Sequence, residues 1–199
     1  MFGCKHNQCG LRRRMTGSTR ATAPPDLQQA AMEFRLSTGE SLAEASESKV
    51  LALVFLRHFG CTFTRQILRG LEALQQSSDE HNARLVIVHM LKNGEEIRYL
   101  ADHDDIARIA DPSCNLYRAF GLGNGGLLEL FGPRVWWFGM ISVITGCGAG
   151  YLAGNALQMP GAFLFHHGEI TAAQRAKSAS ELPDLTGLFD ERVGAGEKR

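Results

Sequence analysis

The chain has 199 residues, with 21 Lys and Arg balanced by 21 Asp and Glu, and 44% of its residues are hydrophobic. A net charge of zero removes any global electrostatic reason to expect nucleic acid or an anionic membrane as partner, and the apolar content is that of an ordinary globular core. Five cysteines, odd in number and irregularly spaced, do not form a disulfide scaffold; they fit a reducing compartment, so a cytoplasmic location is expected.

Residues 1–25 carry Lys5, Arg12, Arg13, Arg14 and Arg20 without any acidic residue and end on Pro24 and Pro25. No apolar stretch follows these charges, which favours a flexible basic arm over a secretory signal, with an organelle transit peptide as the alternative. Cys4, His6 and Cys9 lack the second Cys/His pair of a four-ligand zinc site and read as arm residues. One domain is expected over 26–189, followed by a flexible tail over 190–199.

Leu27 to Met32 suits a short helix. Ser37-Thr38-Gly39-Glu40 reads as a turn between short strands at 33–36 and 41–42, and Ser46 to Lys49 as a polar link. The run LALVFL at 51–56 is too short for an ordinary helix and suits a strand covered on both faces. After Gly60 the period changes: Phe63, Ile67, Leu71 and Leu74 recur at three and four, giving one apolar face of a helix that ends near Ser77 to Asp79.

Cys61 falls where strand gives way to helix. Unsatisfied backbone N–H groups and the positive end of the helix dipole favour a thiolate there. Thr64, one turn on, is expected to donate its hydroxyl to that sulfur, and Arg57 and Arg65 add positive charge. His58 reads as a base or as a loop histidine. The competing reading of Cys61 is a buried, inert cysteine at a helix start.

LVIVHM at 85–90 is a second buried strand, which completes a βαβ unit with parallel, neighbouring strands. Sheets of this kind react at the carboxyl ends of their strands, where Cys61 stands. A helix over 95–104, a short extended piece over 106–110 and a helix from Pro112 or Ser113 to Phe120 follow, stopped by Gly121. Residues 135–168 hold no Asp, Glu, Lys or Arg. VWWFGMISVITGCGAGYLA approaches a membrane span in length, but its glycines favour a buried insert or a surface at 135–157 for a homodimer or another partner. Next come a hairpin with strands at 162–165 and 170–173, entered through Pro160, which can take the cis form, and a helix over 180–189 capped by Ser180 with a break near Pro183.

FLRHFGCTFTRQ, DPSCNLYRAFGL and QMPGAFLFHHGEI, in that order, resemble the peroxiredoxin-like AhpC/TSA family, which includes selenoprotein L and prostamide/prostaglandin F synthase relatives. The resemblance spans Glu33 to Phe189. It implies an α/β thioredoxin-like fold, a central mixed sheet flanked by helices, with the Gly-rich apolar insert placed before the strand that Pro160 opens. It also implies Cys61 at the reactive position, Pro160 as the cis-proline facing it, and a substrate site walled by Gly60, Met159 and Pro160. The implied activity is thiol-dependent reduction of a peroxide or disulfide by Cys61, with no bound cofactor and an external reductant of glutathione or thioredoxin type; Thr64 by its spacing and Arg57 by its charge are the expected catalytic partners.

The chain departs from the pattern in two places. Cys-x-x-Cys is here Cys61-Thr62-Phe63-Thr64, so no disulfide closes within that turn. The proline and threonine usual seven and three positions before a peroxidatic cysteine are Val54 and His58. Oxidised Cys61 is then resolved by glutathione, by a partner thiol, or by Cys114 or Cys147, each of which also reads as a small core residue. Two alternatives stand beside this reading: a redox-inactive binding module of the same fold, and a prostaglandin F synthase-like reductase.

Overall fold

Strand β1 (Val50–Phe55) is buried at every position, because it lies in the middle of the sheet and both its faces are covered. It pairs in parallel with β2 (Ala83–His89), from Val50↔Ala83 to Phe55↔Val88. On its other edge it pairs antiparallel with β4 (Gly161–His166), ending on Phe55↔Gly161. Strand β3 (Ala107–Ala110) extends the parallel side and β5 (Glu169–Arg175) the antiparallel side, so the order is β3-β2-β1-β4-β5. The computed structural model describes residues 25–124, 155, 157–177 and 180–196. The basic arm with Cys4, His6 and Cys9, and most of the 135–157 segment with Cys147, lie outside the described residues.

Alternation along β1 divides the core. Leu51, Leu53 and Phe55 face a cluster with Val86, Val88, Tyr117, Phe120 and Phe163, whereas Ala52 and Val54 face one with Phe59, Ile67, Leu71, Leu188 and Phe189. Side chains on a strand point alternately to opposite faces, so these clusters lie on the two sides of one mixed sheet. This is the α/β architecture expected from the sequence.

Helix α1 (Pro25–Glu33) covers the expected short helix. Two expectations that follow it are overturned. Only an isolated Arg35↔Ser41 bridge stands in place of the short strands, and the supposed polar link belongs to helix α2 (Leu42–Ser48). Ser41 and Glu44 form a capping box that starts it: Glu44 N–H donates to Ser41 Oγ at 3.2 Å and Ser41 N–H to Glu44 Oε2 at 2.8 Å. Ser46, fully buried, donates to the Ala43 carbonyl and accepts from Gly168 N–H in the β4–β5 turn. That turn holds His167 at φ 50° and Gly168 at φ 71°, the two positive values that a two-residue hairpin favours.

The helix expected after Cys61 is two helices, α3 (Thr62–Arg69) and α4 (Leu71–Glu80), separated at Gly70. Helix α5 (Ile97–Leu100) and a 3-10 turn occupy part of the helix expected over 95–104, and α6 (Asn115–Ala119) follows β3. The last helix is also shifted: α7 runs Leu185–Gly196, so it starts after Pro183 and continues through residues expected to be a loose tail. Its cap is Asp184, whose Oδ1 accepts from Gly187 N–H at 3.0 Å, rather than Ser180. No helix among the described residues is long and apolar enough to cross a membrane.

Candidate active site

The carboxyl end of β1 leads into Leu56, Arg57, His58, Phe59 and Gly60, a buried loop that delivers Cys61 to the N-cap of α3. Cys61 N–H donates to the His58 carbonyl at 2.9 Å, closing the turn, and Arg65 N–H donates to the Cys61 carbonyl at 3.2 Å as the first helical bond. The sulfur makes no capping bond and is therefore left for another donor. That donor is Arg57, which is 8% exposed and whose Nη1 lies 3.3 Å from Cys61 Sγ. The guanidinium donates to the sulfur and presents further N–H groups to any oxygen that approaches it.

The same guanidinium ties the loop to the segment before β4. Arg57 Nε donates to the Gln158 carbonyl at 3.2 Å. Gln158 is 2% exposed, and its side-chain amide donates to the carbonyls of Leu122 and Gly123 at 3.1 and 3.2 Å, while Met159 N–H donates to the Gly123 carbonyl. Pro160 then opens β4, whose Gly161 pairs with Phe55 at the end of β1. A Cβ at Gly161 would stand 2.9 Å from Leu122 Cδ2 and 3.1 Å from the Gln174 carbonyl, so the close approach requires glycine. Cys61, Arg57, Gly60, Met159 and Pro160 are thus gathered at one end of the sheet.

Thr64 does not fulfil its expected role. It is 1% exposed and Oγ1 has no hydrogen-bond partner, so it does not donate to Cys61. Its side chain is packed inward, and the sulfur's donor comes from the loop before the helix. Cys114, the internal candidate for resolving, is 5% exposed and belongs to the cluster on the Phe55 face, whereas α3 packs through Ile67 on the opposite face. Burial, with the Asp111 carboxylate second, pushes the Cys114 thiol up, which makes it a poor nucleophile in the folded state. Gln158 escaped the sequence reading because its partners lie far along the chain; the only local signal was its place beside Met159 and Pro160.

His58 is 8% exposed with Nδ1 unpartnered. Burial first, and the Arg57 charge second, push its pKa down to about 4, so at neutral pH it is uncharged and a weak base. The unfolded chain takes up this proton near pH ~6.5. Between that value and about 4 the unfolded state binds more protons than the folded one, so stability falls as pH drops through the window. His58→Gln is expected to flatten this part of the Tm profile. An unchanged profile would assign the acid sensitivity to another group.

A family model described as AhpC/TSA antioxidant enzyme matches residues 70–178, a stretch that contains Cys114 and Pro160 and begins beyond Cys61. No curated protein matches the chain. Among solved structures, the bacterioferritin comigratory protein of Xanthomonas campestris, described for its alkyl peroxide reduction activity, is 17% identical over 85% of this chain and 94% of that one, with a TM-score of 0.52. Peroxidoxin BcpB of Mycobacterium tuberculosis is 14% identical over 81% and 90%, also at 0.52. A peroxiredoxin Q structure from Xanthomonas campestris is 18% identical over 86% and 94%, at 0.51. These likenesses are ones of fold.

Proposed function

The chain belongs to the AhpC/TSA antioxidant enzyme family, and from that premise we propose that it is a thiol-dependent peroxidase with Cys61 as its single nucleophile. The observation that carries this reading is the Arg57 guanidinium at 3.3 Å from the sulfur at the N-cap of α3. The Cys61 thiolate attacks the terminal peroxide oxygen; the O–O bond breaks, the sulfur becomes a sulfenic acid, and the second oxygen leaves as an alcohol or water by taking from solvent the proton that the thiol gave up on ionising. A reductant thiol attacks that sulfur, releasing water and forming a mixed disulfide. A second thiol then attacks the mixed disulfide, giving the oxidised reductant and free Cys61. Arg57 holds the attacking sulfur and meets the negative charge that develops on the leaving oxygen.

Two features narrow the substrates. Cys61 is 7% exposed, which suits a small peroxide better than a disulfide within a folded protein; an alkyl peroxide, the substrate class of the Xanthomonas neighbour, is the first to try. Thr64 stands where a local resolving cysteine would be, and Cys114 lies across the sheet, which favours an external thiol of glutathione or thioredoxin type.

Dilute peroxide followed by mass spectrometry tests the reading. A single added oxygen on Cys61, trapped by a sulfenic-acid reagent, with Cys114 unmodified, is expected. Oxidation of Cys114 with Cys61 untouched would refute it and leave a binding module of the same fold. Arg57→Ala is expected to slow the peroxide step by about 10²-fold, the cost of removing one donor aimed at developing charge. Stopped-flow consumption of peroxide by the reduced protein measures it, and Arg57→Lys, which keeps the charge but loses the fork, should restore only part.

A further inference from the structure

At the carboxyl ends of β2 and β3, Arg35, Ser37, His89, Asn93, Glu96 and Arg108 line a cavity of about 210 Å³. The mechanism proposed above uses none of them. His89 is 1% exposed and neither ring nitrogen makes a hydrogen bond of full geometry, although the Leu91 backbone acts on the ring as an acceptor. Glu96 is 5% exposed, and its Oε2 is likewise unpartnered. The two groups stand 4.0 Å apart between His89 Nε2 and Glu96 Oε2, beyond hydrogen-bond reach. Native interiors pair nearly all buried polar atoms, so open ones on both His89 and Glu96 beside one cavity point to a missing partner.

The charges on the wall select it. Glu96 supplies a buried carboxylate, Arg35 an exposed guanidinium, and Arg108 a second one that is held by Asp104 and the His103 carbonyl. A lone cation meets two arginines, and a lone anion meets Glu96. No group of three or more His, Cys, Asp or Glu among the described residues is placed to hold a metal. Burial, the largest influence on His89, holds its ring toward the neutral form, which offers one donor and one acceptor.

We propose that this cavity binds a small zwitterion, the ammonium-and-carboxylate end of an α-amino acid. The ammonium donates to Glu96 Oε2 and to the unprotonated nitrogen of His89, filling the gap between them, and the carboxylate pairs with Arg35. A bound ammonium also neutralises a buried carboxylate that otherwise has an unsatisfied oxygen. The pocket backs onto the reactive loop: the Phe59 ring meets His89 edge-on at 6.2 Å between centroids and stacks on Tyr99 at 4.4 Å. It is separate from Cys61, so its occupancy does not depend on the redox reading.

Glycine, titrated into the full chain and followed by ligand-observed NMR, is the probe, with N-acetylglycine lacking the ammonium and glycinamide lacking the carboxylate. Saturable binding of glycine is expected, at least tenfold tighter than either control and weakened at least tenfold by Glu96→Gln and by Arg35→Gln. Arg35 is exposed and, among the described residues, its Nη1 bonds only the nearby Gly39 carbonyl, so the second variant keeps the fold even where the first does not. Absence of glycine binding, equal binding of all three probes, or binding unchanged by Arg35→Gln overturns the proposal.

Discussion

Cys61→Ser is expected to reduce thiol-dependent peroxide consumption to the uncatalysed background, while leaving the protein as stable as before or up to about 1 kcal/mol more stable. Serine keeps the shape of the side chain but replaces sulfur with a hydroxyl, a far weaker nucleophile toward peroxide. The stability half of the expectation comes from the helix. Cys61 sits at the N-cap of α3 with extended φ and ψ and makes no side-chain cap bond. Serine at such a position can accept from the N2 or N3 N–H, and it is among the strongest N-cap residues. Loss of activity with an unchanged or raised Tm would separate chemistry from folding, since a merely structural cysteine gives no reason for the two to move apart. Peroxide consumption retained by Cys61→Ser would end the assignment of this sulfur as the nucleophile. Cys114→Ser serves as the internal comparison and should retain at least half of the rate, because Cys114 lies on the other side of the sheet.

The parts of this fold that were legible in the sequence are those where composition and period agree. β1 and β2 are apolar runs bounded by polar residues, and both are buried as such runs must be. Helix α2 was hidden by its composition: Ser41-Leu42 reads as a short strand and Ser46 to Lys49 as a polar link until Ser41 and Glu44 are seen as a capping box and Ser46 as a residue facing inward. Local rules also misjudged the ends of helices. Gly70 divides what periodicity joined, and Asp184 beyond Pro183 starts a helix that Ser180 was expected to cap.

Within the site the same distinction holds. Arg57 and Cys61 are four residues apart, so their meeting follows from one tight turn, but the Arg57–Gln158 bond joins residues 101 apart and depends on β4 pairing with β1. Thr64 misled because spacing alone placed it one turn from the sulfur, whereas packing decided where its hydroxyl went.

The largest loss of stability from a single polar change is expected at Asp111, the fully buried residue that follows β3. Its carboxylate accepts from Asn115 N–H at 3.0 Å, Leu116 N–H at 2.7 Å, Tyr117 N–H at 3.2 Å and Ser113 Oγ at 3.0 Å. Cys114, although it occupies the N-cap position of α6, makes no cap bond and sits at φ 57°, so Asp111 alone supplies the start of that helix. Asp111→Ala leaves three backbone N–H groups without their acceptor, two of them in buried bonds. The cost is put at about 3–5 kcal/mol, combining a lost cap with unsatisfied buried donors. Asp111→Asn keeps one acceptor oxygen and should lose less. The damage also reaches the active end of the sheet, because the Tyr117 hydroxyl donates to the Leu56 carbonyl at 2.6 Å, one residue before Arg57. Urea denaturation should therefore show a lower midpoint for Asp111→Ala, and the remaining folded protein should oxidise Cys61 more slowly. A stability loss under about 1 kcal/mol would mean that water or a shifted α6 satisfies these N–H groups as well as the carboxylate does.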